Sequence, residues 1–172
     1  GGVYPMHGRF MKDHNWRKGG YGVLTFSQIL EQSSNIGVSR IIDDAFKTNP
    51  QAYVDGLRKM GVGIPLDLPF VGKGEPRFPQ PNSKIRYWSK SDLPWMSIGY
   101  VSQQPVISTL TFYNAIANGG KMVKPILYKG ETEIINQQIA CKANVDSVRL
   151  ALTKVVSEGL GKPAASGKVQ VA

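Results

Sequence analysis

The chain has 172 residues, 41% of them hydrophobic and 19% charged, with a formal net charge of +9. That composition suits a globular domain, or a piece of one, and excludes a disordered polyelectrolyte. One cysteine, Cys141, excludes an intrachain disulfide framework, and no apolar run approaches the roughly 20 residues of a membrane span.

Residues 1–22 are rich in Gly, His and basic residues with weak periodicity, and read as loop with at most a short extended piece. The sequence begins Gly1-Gly2-Val3 rather than with Met and ends on the apolar stop Val169-Gln170-Val171-Ala172. An excised segment, with a strand cut short at Lys168–Ala172, is the expectation. Thr25 is a candidate N-cap for a helix whose apolar face is Phe26, Ile29 and Leu30. The pattern breaks at Gln32-Ser33-Ser34-Asn35, whose side chains compete for backbone hydrogen bonds, and resumes from Ile36 to Phe46. Two helices meeting at a polar elbow is the simplest account. Asn49-Pro50 starts a third helix, with Tyr53, Leu57 and Met60 on one stripe and Gly61 as its stop.

Residues 61–95 carry Pro65, Pro69, Pro76, Pro79, Pro81 and Pro94 and read as one long Gly/Pro-rich loop. Loops of that length are usually functional or mobile. A helix is expected over Ser108–Asn118, stopped by Gly119-Gly120, then two short strands at 122–128 and 131–135 around Lys129-Gly130. Asn144 is the expected cap of a last helix running to about Ser157.

Most common chemistries fail on inspection. His7 and His14 are the only histidines and Cys141 stands alone, so no zinc spacing occurs, and Asp13 beside His14 reads as surface polarity. Gly161…Gly167-Lys168 has one residue too many for a phosphate loop, and Val169 follows the lysine. No G-x-S-x-G elbow is present. Arg86-Tyr87-Trp88 interleaves base and aromatic as single-strand binders do, but no run of five like charges supports it, and a solvated loop with anchoring aromatics is favoured. One constellation remains. Ser33 and Asn35 place a hydroxyl and a carboxamide two residues apart at the elbow, where both can face one cleft. A hydroxyl can relay a proton, and an amide can donate and accept at once against a substrate peptide. By itself the tripeptide is a weak signal, and an elbow that merely caps the helix from Ile36 onward explains it as well.

The setting of that tripeptide resembles a known family. Leu24-Thr25-Phe26 through Glu31-Gln32-Ser33-Ser34-Asn35-Ile36-Gly37-Val38-Ser39 is similar to the S-x-N region of penicillin-binding proteins, in particular the class B transpeptidases. Met96-Ser97-Ile98-Gly99-Tyr100, Pro105-Val106, Ala115-Ile116-Ala117-Asn118-Gly119-Gly120 and Lys124-Pro125 resemble the family's following segments in the right order. Val155 to Glu158, then Gly159, Gly161-Lys162-Pro163-Ala164-Ala165 and Val171-Ala172, resemble the approach to its K-[ST]-G strand. Val101 to Gln104 departs from the family pattern. So do two absences: no serine has Lys three residues on, and neither Lys47-Thr48 nor Lys90-Ser91 is followed by Gly.

The resemblance implies a partial transpeptidase domain over 1–172, the segment between the S-x-x-K and K-T-G motifs. It implies a mainly α fragment of the α+β β-lactamase/transpeptidase-like, or penicilloyl-serine transferase, fold, with few short strands and the catalytic sheet largely missing. Ser33 would relay the proton and Asn35 would hold the acyl-side amide of substrate, while Ser34 is given no chemical role. The nucleophile and its lysine would lie outside the chain, leaving it inactive alone. The parent would cross-link peptidoglycan stem peptides ending in D-Ala-D-Ala, bind β-lactams, work with other cell-wall and division proteins, and be membrane-anchored with this domain on the extracytoplasmic side. A division-type role fits better than an elongation-type one. No metal, cofactor or nucleic acid is implied, and apolar faces left bare favour self-association or a loosened end near Ala172. Two alternatives stay open: a serine β-lactamase relative, for which Glu75 lacks the expected E-x-x-L-N setting, and a basic nucleic-acid-binding module.

Overall fold

The computed structural model describes residues 1–69, 74–169 and 171, and the chain divides into two compact units. The first comprises Gly1–Thr48, Trp88–Tyr100 and Arg149–Ala172; the second comprises Asn49–Tyr87 and Val101–Val148.

The first unit opens with an antiparallel hairpin, β1 (Val3–Met6) and β2 (Arg9–Lys12), in which Met6 pairs with Arg9. Its two turn residues, His7 and Gly8, have φ of +48° and +78°, the left-handed pair that matches the twist of a tight hairpin. A loop expected from sequence is therefore an ordered hairpin followed by a 3-10 turn at Trp16–Lys18. Each strand is only four residues long and Pro5 interrupts the alternation, which hides the pattern. The hairpin is held against α2 (Asn35–Phe46) by His7 Nε2, 2.8 Å from Asp43 Oδ1, and by the Arg40 guanidinium stacked 4.6 Å from the Tyr4 ring.

Helix α1 (Phe26–Glu31) starts with a full capping box: Thr25 accepts from Gln28 N, and the Gln28 side chain accepts from Thr25 N. It packs on α2 through Ile29. A Cβ on Gly37 would stand 2.7 Å from Ile29 Cγ1, so the missing side chain is what lets the two helices approach. Helix α4 (Asp92–Met96) also packs on α2 and buries Leu93, Pro94 and Met96. It lies inside the region read as continuous loop. Pro94 is harmless there because a first-turn N–H has no helical partner to lose. Glu31 O accepts from Leu160 N, fixing the residues that follow α6 (Lys142–Ser157) to the end of α1.

In the second unit α3 (Pro50–Lys59) starts as expected, with the Asn49 side chain accepting from Ala52 N and Pro50 in the first turn. Val54 is its buried anchor, and Gly61 follows with φ +88°. Helix α5 (Val106–Ala117) begins two residues before the expected Ser108, since the Pro105 carbonyl takes the Ser108 and Thr109 N–H groups. It packs against β3 (Met122–Val123), which pairs antiparallel with β4 (Ile134–Asn136). These strands are shorter than the expected 122–128 and 131–135. Helix α6 starts at Lys142, so Asn144 is inside it rather than its cap; the Cys141 carbonyl accepts from both Asn144 and Val145. Ala115, Ile116, Met122, Ile139 and Val145 form the core here.

Among the described residues the strands make only two separate two-stranded pairs, so the piece is mainly α with little sheet, as the resemblance implied. Lys168 and Val169 lie in a bend, not a strand; Gln170 and Ala172 fall outside the described residues. No helix among the described residues is long and apolar enough to cross a membrane.

Candidate active-site turn

The elbow is built by a helix that stops and a helix that starts within four residues. At the end of α1, Ser33 N donates to Leu30 O and Ser34 N donates to Ile29 O. This paired closure normally uses glycine at the left-handed position. Here that position is Ser33, with φ +50°. A serine so placed costs of order 1 kcal/mol, and such strain is kept where the side chain has a use. Ser33 is exposed, and its hydroxyl has no hydrogen bond among the described residues.

Ser34 points the other way. It is 3% exposed and caps α2 by accepting from Gly37 N at 3.0 Å. Its hydroxyl donates to the Asp13 carboxylate, 3.1 Å from each oxygen, and Asp13 Oδ1 also accepts from Ile36 N at 3.0 Å. Asp13 is 4% exposed. The expectation that it is surface polarity is wrong: β2 delivers it to the N-terminus of α2, where a negative charge opposes the positive end of the helix dipole. Its neighbour on the other side, His14, stays at the surface against the Tyr21 hydroxyl. Burial, and then the Asp13 charge, raise the Tyr21 phenol above its ordinary value.

Asn35 is half-buried in the first turn of α2, and its Nδ2 donates to the Lys12 carbonyl at 3.0 Å. That bond takes one of the two amide hydrogens. The second hydrogen and Oδ1 have no partner among the described residues, leaving one donor and one acceptor for a peptide-like ligand. The hairpin thus fixes two of the three turn residues, Ser34 through Asp13 and Asn35 through Lys12. A cavity of about 580 Å³ within the same unit is lined by Asp13, Tyr21, Ile29, Ser34 and Arg40, so it faces the buried side of the turn and not Ser33.

Sequence reading singled out Ser33 and Asn35 but missed Asp13, Lys12 and the structural use of Ser34. No local signal marks Asp13, because its partner lies 21 residues away. Glu75 sits exposed in irregular chain. Among the described residues no group of three or more His, Cys, Asp or Glu is placed to hold a metal ion.

The fold is that of a transpeptidase domain. The transpeptidase domain of penicillin-binding protein 3 from Burkholderia pseudomallei superposes with a TM-score of 0.82 at 24% identity, covering 98% of this chain and 49% of that one. Penicillin-binding protein 3 from Mycobacterium tuberculosis, solved in complex with ampicillin, gives 0.75 at 25% identity over 96% of this chain and 38% of that one. The penicillin binding protein transpeptidase domain matches residues 2–172, and the chain belongs to that family. A probable peptidoglycan D,D-transpeptidase, PbpC, of Pseudomonas aeruginosa is 29% identical over 81% of the chain. The peptidoglycan D,D-transpeptidase FtsI of Escherichia coli is 30% identical over 68% of it. The chain spans only 23% and 18% of these two relatives, and about half or less of the solved chains.

Proposed function

We propose that this chain is the S-x-N portion of a peptidoglycan D,D-transpeptidase that joins stem peptides through an acyl-serine intermediate. The observation that carries this reading is the turn itself: an exposed Ser33 held in a glycine conformation, one residue from a fully satisfied Ser34 and two from an Asn35 with a donor and an acceptor to spare. In the proposed reaction a serine from outside these 172 residues attacks the D-Ala-D-Ala carbonyl. The C–N bond breaks, and Ser33 passes a proton to the leaving amine. An amine from a second strand then displaces the serine oxygen. Asn35 holds the acyl-side amide of the donor peptide, or the equivalent amide of a β-lactam. The parent is a membrane-anchored protein with this domain outside the cytoplasmic membrane, working in cell division with other cell-wall proteins.

Because the sequence contains neither S-x-x-K nor K-[ST]-G, the isolated chain forms no acyl-enzyme. Incubation with a fluorescent penicillin followed by a denaturing gel checks this: no labelled band is expected, and a covalent band on the 172-residue chain overturns the reading. In the complete protein, Ser33→Ala and Asn35→Ala each lower the labelling rate about 100-fold, the usual scale for one proton-transfer or positioning group.

A further inference from the structure

We propose that an arginine-lined groove in the second unit binds an acidic segment of another protein, one that alternates carboxylate and apolar side chains. The groove has a volume of about 870 Å³ and is lined by Arg58, Arg77 and Arg86 together with Phe78, Ile85 and Val101, and among the described residues no Asp or Glu lines it. Arg58 comes from the last turn of α3, Arg77 and Arg86 from the irregular chain after it. All three are exposed, and among the described residues no carboxylate pairs with Arg58 or Arg77. The Arg58 and Arg77 guanidinium groups share one concave surface, and each presents a planar fork that fits a carboxylate with two parallel hydrogen bonds.

The floor is rigid. Arg77 N donates to Gln103 O and Gln103 N donates to Arg77 O, both at 2.8 Å, tying the two sides of the groove together. The Phe78 ring rests against Gly63. Val101, on the wall, has φ +55°, a conformation rare for a β-branched residue, and strain of that kind collects at binding surfaces. At the rim Ile85 is 99% exposed. Basic and apolar groups therefore line one concavity. An extended acidic peptide with apolar side chains between its carboxylates satisfies both. A bilayer surface, being flat, reaches the rim but not the floor.

The probe is a fluorescein-labelled peptide of alternating glutamate and leucine, titrated with the 172-residue chain and read by anisotropy. We expect saturable binding that weakens as salt rises and falls about tenfold in the Arg58→Gln/Arg77→Gln double variant, at a few-fold for each exposed pair. Charge reversal gives a second reading: Arg58→Glu/Arg77→Glu loses the glutamate peptide and gains one of alternating lysine and leucine. The proposal is overturned if a glutamine-leucine peptide binds as well, if neither variant changes affinity, or if Lys162→Gln/Lys168→Gln outside the groove lowers it as much. It is overturned also if phosphatidylglycerol vesicles bind through the same arginines while the glutamate peptide does not.

Discussion

The Ser34 hydroxyl lies 3.1 Å from both carboxylate oxygens of Asp13, a residue that shares no element with it and precedes it by 21 positions. Both groups are buried, so the pair is shielded from competing water. Through it the β1–β2 hairpin sets where α2 begins, and hence where Ser33 and Asn35 stand.

Removing that carboxylate should loosen the turn. Asp13→Ala leaves the Ser34 hydroxyl and the Ile36 N–H without their acceptor and takes a negative charge from the α2 N-terminus. Two lost bonds of charged type and one cap interaction are together worth about 3 kcal/mol. Thermal or urea unfolding of Asp13→Ala should show a loss of that order, with Asp13→Asn intermediate because it keeps one acceptor. An unchanged midpoint would remove the hairpin from control of the turn.

Ser33 offers the opposite trade. Glycine is the residue its φ of +50° favours, so Ser33→Gly should raise stability by about 0.5–1 kcal/mol. In the complete protein the same change should depress penicillin labelling as strongly as Ser33→Ala. Higher stability together with lower labelling distinguishes a functional serine from a merely structural one; a stability loss in Ser33→Gly argues against stored strain.

The contact of α1 with α2 predicts a sensitive glycine. Any Cβ at Gly37 meets Ile29 side-chain carbons at under 3 Å. Gly37→Val should therefore cost about 2 kcal/mol through overpacking, despite valine's better helix propensity. Pairing it with Ile29→Ala should recover part of the loss, since the smaller residue makes room; double-mutant unfolding measures the coupling.

Tyr53 supplies an alkaline signature. Burial pushes its phenol up to about 12 from an ordinary 10. The unfolded chain ionises this tyrosine from pH 10 upward while the folded chain keeps it protonated, so deprotonation favours the unfolded state. Stability is complete below pH 10 and falls between 10 and 12, by roughly 2 kcal/mol. Urea unfolding across that window should show the decline in the wild type and a flatter profile in Tyr53→Phe.

Much of the fold could be read from sequence because helix ends are local events. Thr25, Asn49 with Pro50, and Gly61 each act on residues within one turn, and all three appear where expected. The elbow was legible for the same reason: serine and asparagine side chains compete with the backbone at short range. Less local elements were not. Helix α4 depends on burying Leu93, Pro94 and Met96 against α2, and the hairpin depends on His7 meeting Asp43 and Tyr4 meeting Arg40. Composition cannot reveal such contacts.

The candidate site divides along the same line. Sequence alone determined the identity and spacing of Ser33 and Asn35, the absence of S-x-x-K and K-[ST]-G, and the family to which the motif order belongs. Tertiary structure decided that Ser33 faces outward in a glycine conformation, that Ser34 is a buried cap, and that Asp13 is the acceptor beneath it. The reason is physical. A buried carboxylate is tolerated only where donors converge on it, and the donors for Asp13 come from a helix that the chain reaches 21 residues later.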